Sequence, residues 1–246
     1  MRMRSGNPTL NKKTFQNITR TGPIVKDDLM TISGTVDKTG ICLAILLFAA
    51  YFTYGPNGTS YIFLGGFGGL AVAIATVFKK QWAPITAPLY AMLEGLFLGS
   101  ISYMYGQMYE GIVFNAIILT VSILLSLLFA YKSGLIKATE NFKLGVVAAT
   151  GGIFLFIVFA IIASFFGISF SFLSPTNASM LSIGFSLFVV IIASLNLVLD
   201  FDFIEEGAEK GAPKYMEWYG AFGLLVTLIW LYIEILHLLA KLNSRK

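Results

Sequence analysis

Residues 144–199, LGVVAATGGIFLFIVFAIIASFFGISFSFLSPTNASMLSIGFSLFVVIIASLNLVL, contain no charged side chain. A membrane-spanning α-helix needs about 20 mostly apolar residues, so this stretch has room for two spans. Ser174-Pro175-Thr176-Asn177 separates them, because these residue types favour turns. A second uncharged stretch, residues 39–78, has room for two more spans on either side of Gly55-Pro56-Asn57-Gly58. The sequence therefore predicts an all-α polytopic membrane protein.

The composition of the whole chain excludes several other classes. Apolar residues make up 57% of the 246 residues and charged residues 12%, whereas soluble domains carry about 25% charged residues. A β-barrel would show short alternating segments instead of continuous apolar runs. One cysteine, Cys42, and one histidine, His237, allow neither a disulfide framework nor a cysteine- or multi-histidine-based zinc site.

The chain also shows no pattern that indicates catalysis or nucleic-acid binding. It contains no Gly-x-Ser-x-Gly, His-Glu-x-x-His or phosphate-loop motif, so we expect neither an enzyme nor a bound cofactor. The net charge is +4, but the basic residues are scattered over several loops. This distribution is typical of membrane topology and does not indicate a nucleic-acid partner.

Seven hydrophobic segments are predicted, which makes the fold class a seven-transmembrane-helix bundle in contact with the lipid bilayer. A polar, basic N-terminal segment covers residues 1–38, the transmembrane domain covers 39–240, and a short basic tail covers 241–246. An acidic loop is expected after the sixth segment. The segments run from 39 to 54, 60 to 78, 84 to 104, 111 to 131, 144 to 166, 178 to 199 and 219 to 240.

Lysine and arginine residues predict the orientation, because short loops rich in them stay on the cytoplasmic side. The N-terminal segment and the loops after the second, fourth and sixth segments hold 14 of the 17 lysines and arginines. We therefore expect a cytoplasmic N-terminus. Lys241, Arg245 and Lys246 would then lie outside, so either the tail breaks the rule or the last segment does not cross; we expect seven crossings.

Glu94 and Glu234 lie within predicted spans, and a charge at mid-membrane depth costs about 2.5 to 3.5 kcal/mol on insertion scales. Each is expected to be protonated or paired with a polar group inside the bundle, which makes both candidates for proton sensing. Glu94 is followed by Gly95 and Gly99, whose spacing predicts close approach of another helix. A hydrogen bond across that contact and a role in transport are both compatible with Glu94.

Two helices carry polar faces. Trp230, Glu234, His237 and Lys241 share one face of the last segment, because they are spaced by four, three and four residues. Ser182, Ser186, Asn196 and Asp200 extend along part of the sixth. Asn196 and the two serines are interpreted as interhelical hydrogen-bonding groups. The secondary candidates for lining a path are Glu94, Asn196, Asp202 and His237.

His237 and the acidic residues after the sixth segment each allow two interpretations. His237 is either a proton acceptor for Glu234 or an ordinary hydrogen-bond partner. Asp202, Glu205, Glu206 and Glu209 either gather cations at a pore mouth or form a solvated charge run. Their spacing matches no calcium loop, so the second interpretation is preferred and no metal site is predicted with certainty.

Four stretches resemble the transmembrane Bax inhibitor motif family. Leu231-Tyr232-Ile233-Glu234, followed by an apolar run, is similar to the last-helix signature of that family. Leu199-Asp200-Phe201-Asp202-Phe203-Ile204 is similar to the end of its sixth helix. Residues 30–39 and 93–99 resemble a bacterial branch, so the resemblance covers residues 30–240.

The resemblance implies that Asp200 and Glu234 form a proton-sharing pair that latches a calcium-conducting path. Two carboxylates in contact titrate as a coupled pair, and loss of their shared proton favours separation of the helices. The sequence departs from the family pattern at Glu234, where aspartate is usual, and at Asp202 and His237, which replace an amide and an asparagine.

Two functions remain open at this point. The first is a pH-sensitive cation leak, for calcium ions or coupled to protons, and the alternative is a non-conducting regulator of membrane proteolysis or stress survival that binds a membrane protein partner. A proton-coupled transporter using Glu94 and Glu234 ranks last, because the sequence lacks the paired half repeats that favour it. The bacterial resemblance predicts location in a bacterial inner membrane.

Overall fold

The computed structural model describes residues 28–245. Within this range, seven helices are long and apolar enough to cross a membrane, which confirms the predicted fold class. Short 3₁₀ turns precede the second and third helices and lie in the loop between the fifth and sixth. The helices are α1 (Ile32–Thr53), α2 (Ile62–Phe78), α3 (Ala83–Met108), α4 (Ile112–Lys132), α5 (Glu140–Phe165), α6 (Met180–Glu209) and α7 (Met216–Asn243).

Three helices begin at a hydroxyl side chain that caps the first turn. Thr31, Thr139 and Ser179 each accept a hydrogen bond from the backbone N–H three residues ahead, which satisfies a donor that the first helical turn leaves free. Gly211, with φ of 60°, turns the chain sharply between α6 and α7. These two helices therefore form an antiparallel hairpin.

Helix α7 lies at the centre of the bundle. It is the most buried of the seven helices and contacts α1, α3, α4 and α6. Helix α3 packs against α1 and α2, whereas α5 packs mainly against α6. Ring contacts such as Tyr90 against Phe222, with ring centroids 4.9 Å apart, join α3 to α7 inside the main core.

The helices extend beyond the predicted hydrophobic segments. Helix α1 begins at Ile32 instead of residue 39, and α6 continues to Glu209. The acidic loop predicted after residue 199 is therefore wrong, because Asp202 and the glutamates that follow it lie on two further turns of helix. Glutamate is a good helix former, and contacts with α4 and α5 hold this end in place.

The C-terminal boundary also differs from the prediction. Helix α7 continues to Asn243, so Lys241 belongs to the helix and is buried, with 2% of its surface exposed. The basic tail predicted for residues 241–246 thus begins inside the bundle. Lys241 is also the last member of the polar face predicted for this segment.

Candidate functional site

Asp200 lies on α6 and is fully buried. The residues around it on the helix, Asn196 and Leu197 on the preceding turn and Phe203 and Ile204 on the next, are buried as well. The α6–α7 hairpin therefore holds this carboxyl group inside the bundle.

Glu234 lies on α7, closer to the opposite end of the hairpin. Its side chain is 15% exposed, and its carboxylate lies 3.7 Å from Nδ1 of His237. The His237 ring also lies 6.0 Å from the ring of Tyr105 on α3. The structure thus brings together two members of the predicted polar face of α7 and adds a tyrosine from a neighbouring helix.

The register of the hairpin separates Asp200 from Glu234. The Lys241 ammonium group contacts Ser182 and Ser186, and Gly220 faces Ile204. Continuing this register along both helices, we infer that Asp200 lies at the level of about residue 225 of α7 and Glu234 at the level of about residue 191 of α6. About nine residues separate these levels, or about 14 Å at the α-helical rise.

That Asp200 and Glu234 share a proton directly therefore stays a prediction. It requires a different register of the hairpin or a group that bridges the two acids. In this conformation the two acids occupy different depths of the bundle. Asp200 lies nearer the turn of the α6–α7 hairpin, and Glu234 lies nearer its open end.

Glu94 lies on α3 with 9% of its surface exposed, where α3 contacts α2. A side chain at Gly69 of α2 would collide with the Glu94 carboxyl group, so this glycine makes room for the acid. Gly95 and Gly99 instead face α1, which confirms the close approach predicted from their spacing. Glu94 is thus an intramembrane acid on the other side of α3 from the α1 contact.

Asn196 and Asp202 both connect α6 to α5. The Asn196 amide nitrogen donates to Thr150 Oγ1 and to the Ile192 carbonyl, both at 2.8 Å, which confirms its interpretation as interhelical glue. Asp202 forms an ion pair with Lys143. Farther along α6, Glu205 accepts a hydrogen bond from the Tyr131 hydroxyl group. Asp202 and Glu205 thus connect α6 to α5 and α4. Their placement does not indicate a pore mouth that gathers cations.

The structure adds one carboxylate that the sequence analysis missed. Glu217, in the first turn of α7, is fully buried. It accepts hydrogen bonds from the backbone N–H and the hydroxyl group of Thr31, at 3.0 and 2.9 Å. Its carboxylate also forms ion pairs with Lys38 at 2.9 Å and Lys214 at 3.1 Å. Two helix N-termini and two ammonium groups therefore stabilise its negative charge.

The partners of Glu217 explain part of the N-terminal motif. Thr31, Gly34 and Lys38 belong to the stretch of residues 30–39 that resembles a bacterial branch of the family. Thr31 and Lys38 bind the carboxylate, and Gly34 leaves the space that it fills, because a Cβ there would collide with it. The motif is thus one half of an ionic contact that ties α1 to α7.

The opposite end of α7 holds a buried cation. The Lys241 ammonium group donates to Ser186 Oγ at 2.8 Å and to the carbonyl oxygens of Phe172 and Ser182 at 3.1 and 3.3 Å. These oxygens replace the water that a buried ammonium group loses. Lys241 thereby fastens the loop between α5 and α6 to the central helix.

Within residues 28–245, no group of three or more histidine, cysteine, aspartate or glutamate side chains is placed to hold a metal ion. The features that remain are ionisable groups spread through the depth of a helical bundle. A bundle of seven helices long and apolar enough to cross a membrane defines the class as an integral membrane protein.

Comparison with protein families gives a match along nearly the whole chain. The family described as Bax inhibitor 1 like matches residues 7–244. The chain therefore belongs to the Bax inhibitor 1 like family, in agreement with the resemblance found at residues 30–240. Comparison with curated proteins and with solved structures gives no match.

Proposed function

We propose that this protein is a pH-sensitive cation leak, with calcium as the ion, in which Asp200 and Glu234 are the groups that respond to protons. One observation supports the proposal: carboxyl groups lie within membrane-spanning helices, Asp200 with no exposed surface and Glu234 with a side chain 15% exposed. Ionisable groups at such depth are costly and mark ion or proton paths.

Asp200 and Glu234 lie at different depths of the bundle. This favours a path along the α6–α7 hairpin on which a cation meets the two acids one after the other. A deprotonated carboxylate attracts a cation and offers it oxygen ligands, which calcium prefers, whereas a protonated carboxyl group does neither. Glu94 on α3 is a secondary member of the path, and His237 lies where it can exchange a proton with Glu234. Cation flux should therefore increase as the pH rises through the range in which these acids titrate.

The test is calcium flux into dye-loaded proteoliposomes, with the pH stepped from acid to alkaline, for wild type, Asp200→Asn and Glu234→Gln. Each substitution should change the pH dependence, because an amide no longer titrates. Glu209→Gln is the matched control, since Glu209 is exposed at the end of the same helix. Flux no greater than that of empty liposomes, or an identical pH profile in all variants, would overturn the proposal.

A second function, regulation through a membrane protein partner, is favoured by the anchoring of the chain before α1. Met30 N donates to the Ala212 carbonyl at 2.7 Å, and Lys214 N donates to the Asp28 carbonyl at 2.9 Å. Residues 28–30 therefore lie at the α6–α7 turn, and a partner that binds the basic segment before them would act beside both helices.

Deletion of residues 1–26 separates the two functions, because it leaves this anchor in place. For a regulator, the deletion should abolish capture of the partner while the helical circular dichroism spectrum stays unchanged. For a leak, the flux should persist in the deleted protein. Unchanged capture by the deleted protein would count against the regulatory function.

A further inference from the structure

A cavity of about 450 Å³ opens among α1, α3, α4 and α7. Its floor is formed by buried side chains of α1, α3 and α7, among them Leu46, Leu98 and Leu228, each 5 to 6% exposed. Its rim consists of residues of α1 and α4 that face the bilayer, such as Leu47 at 58% and Val121 at 47% exposure. The cavity therefore opens sideways, between α1 and α4, towards lipid.

The cavity is as long as one leaflet of a bilayer is deep. On α1 its lining extends from Leu43 to Tyr54, about 16 Å at the α-helical rise. The hydrocarbon core of a bilayer is about 30 Å thick, so one leaflet contributes about 15 Å. An occupant that fits this length reaches from one membrane interface to the midplane.

The two ends of the cavity differ in polarity. At one end Leu43, Leu46 and Leu225 leave only apolar surface. At the other end Tyr54 packs edge-on against Tyr103, with ring centroids 5.8 Å apart. Tyrosines concentrate at the boundary between hydrocarbon and headgroups, so this second end lies at an interface and the apolar end points into the membrane.

A hydroxyl pair lines the interfacial end. Ser102 Oγ and the Tyr232 hydroxyl oxygen lie 2.6 Å apart, and both residues are buried. One O–H donates to the other oxygen, which leaves one hydroxyl hydrogen without an acceptor in the described part of the chain. A buried donor of this kind is costly unless it finds an acceptor, and an acceptor inside the cavity would satisfy it.

We propose that this cavity is a binding site for one acyl chain of a bilayer phospholipid. The chain lies along the apolar wall from Tyr54 towards Leu43, and its ester carbonyl oxygen accepts the remaining hydrogen of the Ser102–Tyr232 pair. Length, polarity gradient and the lateral opening all fit this occupant, which enters from the leaflet at the Tyr54 end. The site is independent of ion flux and of the acids on α6 and α7.

Photo-crosslinking from inside the lipid chain tests the proposal. The protein is reconstituted in nanodiscs of phosphatidylethanolamine and phosphatidylglycerol that contain a trace of phosphatidylglycerol with a diazirine in one acyl chain. A diazirine near the methyl end should label Leu46 and Leu225, and one near the ester should label the region of Ser102 and Tyr232. Labelling confined to lipid-facing side chains such as Phe48 and Phe129 would overturn the proposal.

Two further variants and a matched control extend the test. Val121→Trp places a large ring at the cavity mouth and should abolish floor labelling, whereas Ile161→Trp, on the lipid-facing surface of α5 at 54% exposure, should leave it unchanged. The double variant Ser102→Ala, Tyr232→Phe removes both hydroxyl groups and should weaken retention of the lipid about fivefold, as expected for one hydrogen bond. If residues of the cavity floor are still labelled in Val121→Trp, and this variant has the wild-type circular dichroism spectrum, the result would count against this cavity as the labelled site.

Discussion

At the scale of single residues, the ionisable groups differ in what surrounds them. Thr31 donates two hydrogen bonds to Glu217, and Lys38 and Lys214 form ion pairs with it, so its negative charge is stabilised within the protein. Asp200 and Glu234 lie deeper along the hairpin, and Glu234 has a histidine beside it that is neutral or charged according to pH. We therefore assign a structural role to Glu217, whereas the proton-dependent role of the other two acids stays a proposal.

Glu217→Gln should destabilise the protein by about 2 to 3 kcal/mol, because hydrogen bonds to a buried charge are lost and two ammonium groups lose their counter-charge. Thermal unfolding in detergent, followed by circular dichroism, measures the effect. Glu209→Gln, at an exposed position, should shift the unfolding temperature little. Equal shifts in both variants would contradict the structural role of Glu217.

Lys241→Met should release the loop between α5 and α6, because the ammonium group is bound to the carbonyl oxygens of Phe172 and Ser182. Backbone amides of residues 166–179 should then exchange hydrogen faster, by about tenfold for the loss of one charged hydrogen bond. Hydrogen exchange with mass spectrometry measures this. Lys137→Met, at an exposed position, is the control, and slow exchange in both variants would refute the assignment.

The burial of some of these ionisable residues could be predicted from the sequence, and the burial of others could not, for a physical reason. Glu94, Asp200 and Glu234 stand out because each interrupts or ends an apolar run. Glu217 follows a polar loop that contains Lys210 and Lys214, so its burial is invisible in the local pattern. Its partner Thr31 lies 186 residues away in sequence, and only tertiary structure brings the two together.

At the scale of helices, the contact between α1 and α3 depends on small residues. Gly95 and Gly99 of α3 bring its backbone against residues 46–53 of α1. Close backbone approach increases van der Waals contact between the helices. This contact drives helix association in a membrane, because lipid tails are as apolar as the side chains and the hydrophobic effect does not favour association. Thr53 adds a hydrogen bond of 3.0 Å to the Leu96 carbonyl across the same contact.

Gly95→Ala should destabilise this helix pair by about 1 to 3 kcal/mol, the usual cost of overpacking. The added methyl group would collide with the Leu46 carbonyl and lie 2.7 Å from the Ala49 side chain. Gly151→Ala on α5 is the control, since nothing lies within 4 Å of its added methyl group. Unfolding by increasing concentrations of a denaturing detergent compares the stabilities of the two variants. Equal stability would show that the contact between α1 and α3 adapts without cost.

The number of helices could be predicted from hydrophobic runs, because each crossing needs its own apolar length. Their ends could not, since a helix continues into polar sequence wherever tertiary contacts support it. The last turns of α6 are an example, where Asp202 pairs with Lys143 and Glu205 with Tyr131. Composition shows these residues as a solvated acidic run, and only the neighbouring helices make them part of the bundle.

At the scale of the whole molecule, α7 carries residues of the ionic contact with α1, of the lipid-facing cavity and of the polar face near its end. Its first turn holds Glu217 against α1, its middle carries Tyr232 at the lipid-facing cavity, and its last turns carry Glu234 and Lys241. A change in the position of α7 would therefore move Glu217, Tyr232 and Glu234 together. The same helix also decides on which side of the membrane the chain ends.

Seven crossings place the two ends of the described chain on opposite membrane faces, and cysteine labelling tests this. The native Cys42 is fully buried, so it gives a low background with a membrane-impermeant maleimide. Cysteines at the exposed positions Asn57 and Arg245 should react from the same side, and a cysteine at the exposed Ser133 only from the other.

The distribution of lysine and arginine predicts that positions 57 and 245 face outwards in intact cells, with position 133 reacting only after permeabilisation. If Arg245→Cys reacts together with Ser133→Cys instead, the last segment does not cross, and the basic end of α7 returns to the cytoplasmic side. In that case Glu234 and Lys241 would no longer lie beyond Asp200 on a path through the membrane. The proposed leak would lose its outer half, so the labelling pattern of position 245 tests the path as well as the topology.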